Sequence, residues 1–377
     1  RGVAIGEDKV FVGQLDGVLK AIDKESGNTV WSIQAENWQD GYTITSAPLY
    51  FEGLVITGFA GAEFAARGRV KAFDASDGSL VWTFFTVPGP GEYGHDSWPS
   101  DSTAWETGGG TVWHTPAVDP DLGLIYFSTG NPGPDYNGAI RAGDNLFTAS
   151  IVAIDAYTGE YRWHFQQVHH DIWDYDAPNP VVLFDLEYDG VPRKGLAQAG
   201  KTGWVYILDR VTGEPLVGIE ERAVPQEPRQ ATAATQPFPV GDPFVTQTLD
   251  IPPEGFDLTN QGKIFTPFWD EPILLKRGEA NWPPSTVDPA KGYMYVCAGE
   301  RQAAYSTQTD TDLASSGDRY TGGSMRFAPV PTTGVVAAVN LLDNKVVWSQ
   351  RWSSRCYSGL VASAGGLVFA GRNDGRF

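Results

Sequence analysis

Between His164 and Pro180 the chain gathers three of its five histidines and three aspartates, Asp171, Asp174 and Asp176, around Trp173. Asp174 and Asp176 are two residues apart. In an extended segment both side chains point to one side, because Cβ atoms alternate along a strand. Pro178 and Pro180 favour such geometry, since each pushes its preceding residue away from the helical region. Paired carboxylates of this kind can ligate a metal ion or take a proton from a substrate hydroxyl. The competing reading is a polar turn in which Trp173 plugs the core.

Four further positions have chemical potential. Glu63 ends the small-residue stretch Gly58–Glu63. Trp113 follows Gly108, Gly109 and Gly110, so a large ring arrives on a backbone with little bulk. Asn131 sits in the loop Ser128–Pro134, pinned by Gly and Pro, and Lys201 lies in the tight turn Gly200–Gly203. Glu, Asn and Asp oxygens suit a hard cation such as Ca²⁺, and a Trp face can floor a flat ring system. Taken singly, each has an ordinary structural role as turn, cap, packing or solvated residue. Their joint occurrence between successive repeats argues for a site.

Those repeats are the elements that must position the residues. Phe11–Trp31 is the clearest copy. Gly68–Trp82, Ser150–Trp163 and Gly334–Trp348 repeat its second half, Trp204–Leu216 does so without the final Trp, and Phe369–Phe377 matches its opening. Each reads as strand, tight turn, strand. Asp, Ser or Thr, and Gly make the turn, and Trp locks the second strand onto its neighbour. Strand repeats of roughly 40–50 residues point to a β-propeller, whose blades stack because none can bury both faces alone. A sandwich is the alternative. From Val217 to Pro284 the repeat fades into a stretch rich in Pro, Gln and Thr. Aromatic residues continue through it, so it reads as an ordered insertion and not a linker. Asp96–Trp105 is a similar excursion.

Composition agrees with an all-β fold: 44 Gly, 26 Pro and 47 aromatic residues (13 Trp, 15 Tyr, 19 Phe) in 377. Frequent turns and aromatic strands use these types. The length suggests two or three domains unless a large closed β fold accounts for it. The net charge of −19 and absence of a basic stripe exclude nucleic acid as a partner class. Cys297 and Cys356 match no metal spacing. No apolar run is long enough to span a membrane as a helix. The chain opens at Arg1 without Met and stops in mid-pattern at Phe377, so it is read as one domain, 1–377, truncated at both ends.

The combination of Gly130-Asn-Pro-Gly-Pro134 with His170-Asp-Ile-Trp-Asp-Tyr-Asp176, together with Arg141–Asn145 and Asp209–Gly213, resembles the quinoprotein dehydrogenases. These are periplasmic eight-bladed β-propellers with tryptophan-docking repeats that use pyrroloquinoline quinone (PQQ) and a metal to oxidise alcohols, polyols or sugars. The resemblance covers nearly the whole chain. It implies that Glu63, Asn131 and Asp174 bind the metal, that Trp113 lies under the PQQ ring, and that Thr45, Ala60, Gly61 and Ala62 line its edge. It further implies Arg1 on a PQQ carboxylate, Asp174 as the base, Lys201 on the PQQ C5 oxygen, and Glu300 and Tyr357 near the cofactor. Electrons would pass to cytochrome c or a quinone. Lys201 stands where methanol-oxidising members carry Arg, which points to the sugar and polyol branch. Asp176 stands where lanthanide-using members carry an extra Asp. Ca²⁺ is expected on ligand hardness, and a lanthanide is the alternative. A non-catalytic propeller serving as a scaffold in outer-membrane protein assembly would share the repeats but need no acid cluster.

Overall fold

The recurring blocks fold as antiparallel strand pairs: Val18–Asp23 with Thr29–Gln34, Arg69–Asp74 with Leu80–Phe85, Ser150–Asp155 with Tyr161–Gln166, and Thr333–Asn340 with Val346–Trp352. The computed structural model describes residues 1–249, 253–254 and 258–377. In the first three pairs the aspartate that ends the leading strand turns the chain. Asp23 accepts from the backbone N–H and hydroxyl of Ser26, Asp74 from those of Ser76, and Asp155 from the N–H groups of Tyr157 and Thr158. The glycine that follows has positive φ: 74° at Gly27, 78° at Gly78, 72° at Gly159, and 80° at Gly213 of the Trp204 block. Side chains adopt that region only with strain. In the last pair Asn344, at φ 56°, takes the place of Gly.

The same turn receives the tryptophan of the preceding sheet. Trp31 Nε1 donates to Ala75 O at 3.0 Å, Trp82 Nε1 to Ala156 O at 3.1 Å, and Trp163 Nε1 to Arg210 O at 3.2 Å. A Cβ on Gly78, Gly159 or Gly213 would lie 2.9, 2.8 or 2.6 Å from the corresponding ring. Glycine is therefore demanded twice, by the turn and by the ring.

Residues 4–34, 49–85 and 117–166 form three four-stranded antiparallel sheets in chain order. A three-stranded sheet spans 182–209. A larger sheet is built around the long strand Tyr293–Thr307. Side-chain alternation explains the stacking. Val55 faces the first sheet with Phe11 and Leu19, while Ile56 faces the third with Ile125 and Val152. Tyr126 packs towards the fourth sheet with Leu196 and Tyr206, and Ala197 and Ile207 turn to Val296 and Val335. Each inner sheet is thus buried on both faces by its predecessor and its successor.

One expectation changes here. The block Trp204–Leu216 keeps its turn, with Asp209 accepting from Val211 and Thr212, but has no second strand; Leu208 and Pro215 make only an isolated bridge. Pro215 has no N–H to extend a ladder. Cys297 and Cys356, unassigned from sequence, form a disulfide across 59 residues. Within 217–284 the hairpin Ile219–Ala223 with Thr235–Pro239 presents Gln230, which is fully buried and accepts from Gly138 N at 2.6 Å. Residues 250–252 and 255–257 of the expected insertion lie outside the described residues.

Candidate active site

Backbone loops that leave the strand ends at Gly58, Ser128, Gln166 and Ala199 converge on one cavity of about 260 Å³. Arg1, Thr45, Ala60, Gly61, Ala62, Glu63, Trp113, Asn131, Asp174, Asp176 and Lys201 all line it, joined by Thr111, Asn281 and Tyr357. A larger cavity of about 580 Å³ lies elsewhere, among Val336, Trp348, Trp352 and Phe369. No acidic side chain lines it, whereas Glu63, Asp174 and Asp176 line the smaller polar cavity.

The walls are fixed by short-range contacts. Gly61, at φ 136°, passes so close to Gly41 O that a Cβ would sit 2.1 Å away, which sets the turn that delivers Glu63. Glu63 O accepts from Tyr320 N at 2.8 Å. Trp113 Nε1 donates to Asp176 Oδ2 at 3.2 Å, and Trp113 O accepts from Arg1 Nη1 at 2.8 Å and Thr45 Oγ1 at 3.2 Å. The Arg1 guanidinium lies 5.0 Å from the Trp113 ring centre and 4.4 Å from that of Trp282. Asn131 is buried, with Nδ2 donating to Pro132 O.

The aspartate stretch is a turn and not the extended segment expected. Asp171 accepts from the N–H groups of Trp173 and Tyr175, both at 2.8 Å, and the fold it imposes leaves Asp174 at φ 56°. Trp173 is the core plug, donating to Thr266 O at 2.9 Å. Even so, Asp174 and Asp176 converge. Lys201 Nζ donates to Asp174 Oδ1 at 2.8 Å and also touches Asp176 Oδ1. Arg277 Nη2 donates to Asp174 Oδ2 at 2.7 Å. The three histidines of the stretch do not reach the cavity. His164 packs against Phe147 and bonds Tyr161, His169 meets Gln166 and Glu221, and His170 lies between Gly143 O and Gln230 O.

Electrostatics separate the carboxylates. Burial would raise Asp174, but Lys201 and Arg277 together outweigh it and hold the group below its ordinary value. Burial pushes Asp176 up to about 7, with Lys201 opposing and the Asp174 charge adding to the rise. Burial likewise lifts Asp171 to about 6, against the Trp173 N–H. For Lys201 burial favours the neutral amine, yet Asp174 and Asp176 overcome it and keep the ammonium.

Among the described residues no three His, Cys, Asp or Glu side chains close on a common point, and the Lys201 ammonium bridges Asp174 and Asp176. The donors nevertheless fit a hard cation. Glu63, Asn131, Asp174 and Asp176 offer only oxygen ligands on one cavity. Nearby Asp135 is buried, its Oδ1 has no hydrogen-bond partner among the described residues, and burial plus the charges of Glu63 and Asp174 push it well above its ordinary value. That negative field is what a cation would relieve.

Glu300 is corrected: its carboxylate accepts from Thr246 N at 3.2 Å and Arg351 Nε at 3.3 Å, not from groups of the cavity, whereas Tyr357 does line it. Sequence reasoning missed Arg277 and Asn281. Both belong to the run Lys276–Trp282 at the end of the stretch where the repeat fades. The signal available was a charged Lys-Arg-Gly-Glu run after the apolar Ile273-Leu-Leu275.

The fold and site define a class. The family model for the PQQ "Glucose/ethanol/alcohol dehydrogenase, beta-propeller domain" matches residues 34–338, and the chain belongs to that family. It is 34% identical over 402 residues to the quinohemoprotein alcohol dehydrogenase ADH-IIG of Pseudomonas putida, covering 100% of this chain and 53% of that protein. It is 32% identical over 412 residues to the dehydrogenase subunit of an alcohol dehydrogenase (quinone) of Gluconacetobacter polyoxogenes, again covering 100% and 53%. A europium-containing methanol dehydrogenase structure superposes with a TM-score of 0.76 at 28% identity, covering 98% of this chain and 65% of that one. The chain thus spans about half the length of the curated relatives it matches.

Proposed function

We propose that the chain forms the PQQ- and metal-binding propeller of a dehydrogenase that oxidises an alcohol, polyol or sugar and passes electrons to a cytochrome c or a quinone. The carrying observation is the single cavity on which a Trp face, four oxygen donors and the Lys201–Asp174 pair meet. Glu63, Asn131, Asp174 and Asp176 would hold the cation, and Trp113, Arg1, Thr45 and Ala60–Ala62 would hold the cofactor. PQQ, with its cation as Lewis acid, supplies the hydride-accepting chemistry when bound. Asp174 takes the substrate hydroxyl proton, a task for a carboxylate kept ionised by its neighbours. Lys201, which donates to Asp174 and touches Asp176, would be the donor available to an oxygen of the bound cofactor. Trp113 orients the ring plane, and its Nε1 holds Asp176 in place.

The architecture we propose for the whole protein is an eight-bladed propeller closed by tryptophan docking, a reading supported by the three indole bonds from one sheet to the next. A periplasmic location is supported by the Cys297–Cys356 disulfide, since such bonds persist in oxidising compartments. Ca²⁺ is the expected metal. The lanthanide reading is supported by Asp176, whose side chain lines the cavity with Asp174 and Glu63. The test is reconstitution of the protein with PQQ and either Ca²⁺ or La³⁺, read by dye-linked alcohol oxidation, for wild type, Asp174→Asn and Asp176→Ala. Asp174→Asn should lose turnover and keep PQQ. Full activity with Ca²⁺ alone, unchanged in Asp176→Ala, rules out the lanthanide reading, and a lack of turnover with both metals sinks the dehydrogenase.

A further inference from the structure

We infer that Arg277 is the positioning residue of the base: its guanidinium clamps Asp174 through Oδ2 and so fixes Oδ1 as the oxygen turned to the cation and the reacting hydroxyl. The inference rests on the reading of Asp174 as base. Arg277 is about 1% exposed, and all five of its N–H donors are spent. Nη2 donates to Asp174 Oδ2 at 2.7 Å and Asp174 O at 2.8 Å. Nη1 donates to Trp173 O and to Tyr305 Oη, both at 2.8 Å, and Nε donates to Glu279 Oε1 at 2.9 Å. A planar fork with every donor satisfied has no other orientation available at similar cost.

The grip falls where the backbone needs it. Asp174 has φ 56°, a region unfavourable for a residue with a side chain. Arg277 holds the carbonyls on both sides of the Trp173–Asp174 junction as well as the carboxylate. Lys201 contrasts with it. Its ammonium is a point charge with rotatable donors, divided between Asp174 and Asp176, so it can change partners while Arg277 cannot. Of the two cations on the base, one is therefore exchangeable and one fixed.

Behind the fork lies a buttress. Glu279, about 4% exposed, holds Arg277 through Oε1 and accepts through Oε2 from Arg355 Nη2 at 2.7 Å and Arg301 Nη1 at 3.5 Å. The Arg355 guanidinium lies 3.6 Å from the ring centre of Tyr357, a cavity residue. A continuous charged chain, Asp174–Arg277–Glu279–Arg355, thus runs from the base to the cavity rim.

The experiment uses the protein reconstituted with PQQ and Ca²⁺. Arg277→Met should lower kcat about 10²-fold, the loss expected when a catalytic group is misplaced by about 1 Å. KM and PQQ affinity, the latter read by quenching of tryptophan fluorescence, should stay within about threefold. Arg277→Lys should recover only part of kcat, since it restores the charge but not the fork. Glu279→Gln, which keeps Arg277 and loosens its support, should lower kcat at constant KM, and it serves where Arg277→Met does not fold. A second readout is independent of turnover. In the protein without cofactor, carbodiimide-driven amidation of Asp174, mapped by mass spectrometry, should rise several-fold in Arg277→Met and remain near wild type in Arg277→Lys. If Asp174→Asn still turns over, the base is misassigned. If Asp174→Asn is inactive while the Arg277 and Glu279 variants keep wild-type kcat, or lose kcat, KM and PQQ affinity together, the positioning role is overturned.

Discussion

Replacing Lys201 with Met removes one of two cations from a buried quartet in which Lys201 and Arg277 balance Asp174 and Asp176. The side chains of Lys201 and Asp176 are 6% and 2% exposed. After the substitution Asp176 keeps only the N–H of Trp113. While Asp176 is ionised, deleting its partner in a buried pair costs about 3–5 kcal/mol, most of it the penalty on the charge left behind, and the cost shrinks as falling pH protonates Asp176, which burial already lifts. With an unfolding entropy of about 2.1 cal/mol/K per residue over this length, Tm should fall by about 4–6 °C. Asp176→Asn added to Lys201→Met removes the orphaned charge, leaving Asp174 neutralised by Arg277. The double variant should therefore recover about 2 kcal/mol relative to the sum of the singles, a coupling typical of contacting groups. Calorimetry of wild type, both singles and the double, all without cofactor and metal, measures it. Strictly additive shifts in Tm would falsify the pairing of Lys201 with Asp176 and with it the reasoning on how the carboxylates are held.

Three other outcomes follow from the geometry. The Cys297–Cys356 bridge closes a 59-residue span, so Cys297→Ser with Cys356→Ser should cost about 4 kcal/mol in denaturant unfolding by the chain-entropy account, and reductant should reproduce the loss in wild type. Gly159→Val forces a branched side chain to positive φ and onto the Trp82 ring; a loss of about 2–4 kcal/mol with altered tryptophan emission is expected, and an unchanged Tm would contradict the docking contact. Burial, with the His169 charge adding, lowers His164 to about 4 from its ordinary 6.5, so the unfolded chain binds the proton first and stability drains away as pH falls from about 6.5 towards 4. The slope should approach 1.4 kcal/mol per pH unit, and His164→Phe should flatten that window by one proton.

The fold was legible because its turn has a fixed chemistry. An aspartate that accepts from the backbone ahead of it, a glycine at positive φ and a tryptophan at the end of the next strand recur in one order, and each can be read without knowing its partners. The cavity residues were legible for a related reason: Glu63, Asn131 and Lys201 occupy Gly- or Pro-pinned loops between those blocks. Arg277 was not, since its partner Asp174 is 103 positions away and the charged run Lys276–Glu279 does not say which group it meets. The turn at Asp174 was misread as extended because the two prolines carry a strong local signal, while the Asp171 carboxylate that overrides it acts through bonds to backbone N–H groups. The disulfide was hidden in the same way, since the hairpin 333–352 is what returns Cys356 to Cys297.

The indole contacts between sheets also run in one direction along the chain. Trp31, Trp82 and Trp163 find their acceptors 44, 74 and 47 residues further on. During synthesis each of these sheets leaves the ribosome before the carbonyl that completes it exists. At about 5–20 residues per second the wait is about 2–15 s. A newly made sheet is therefore a provisional structure with one exposed aromatic flank, made permanent only by its successor.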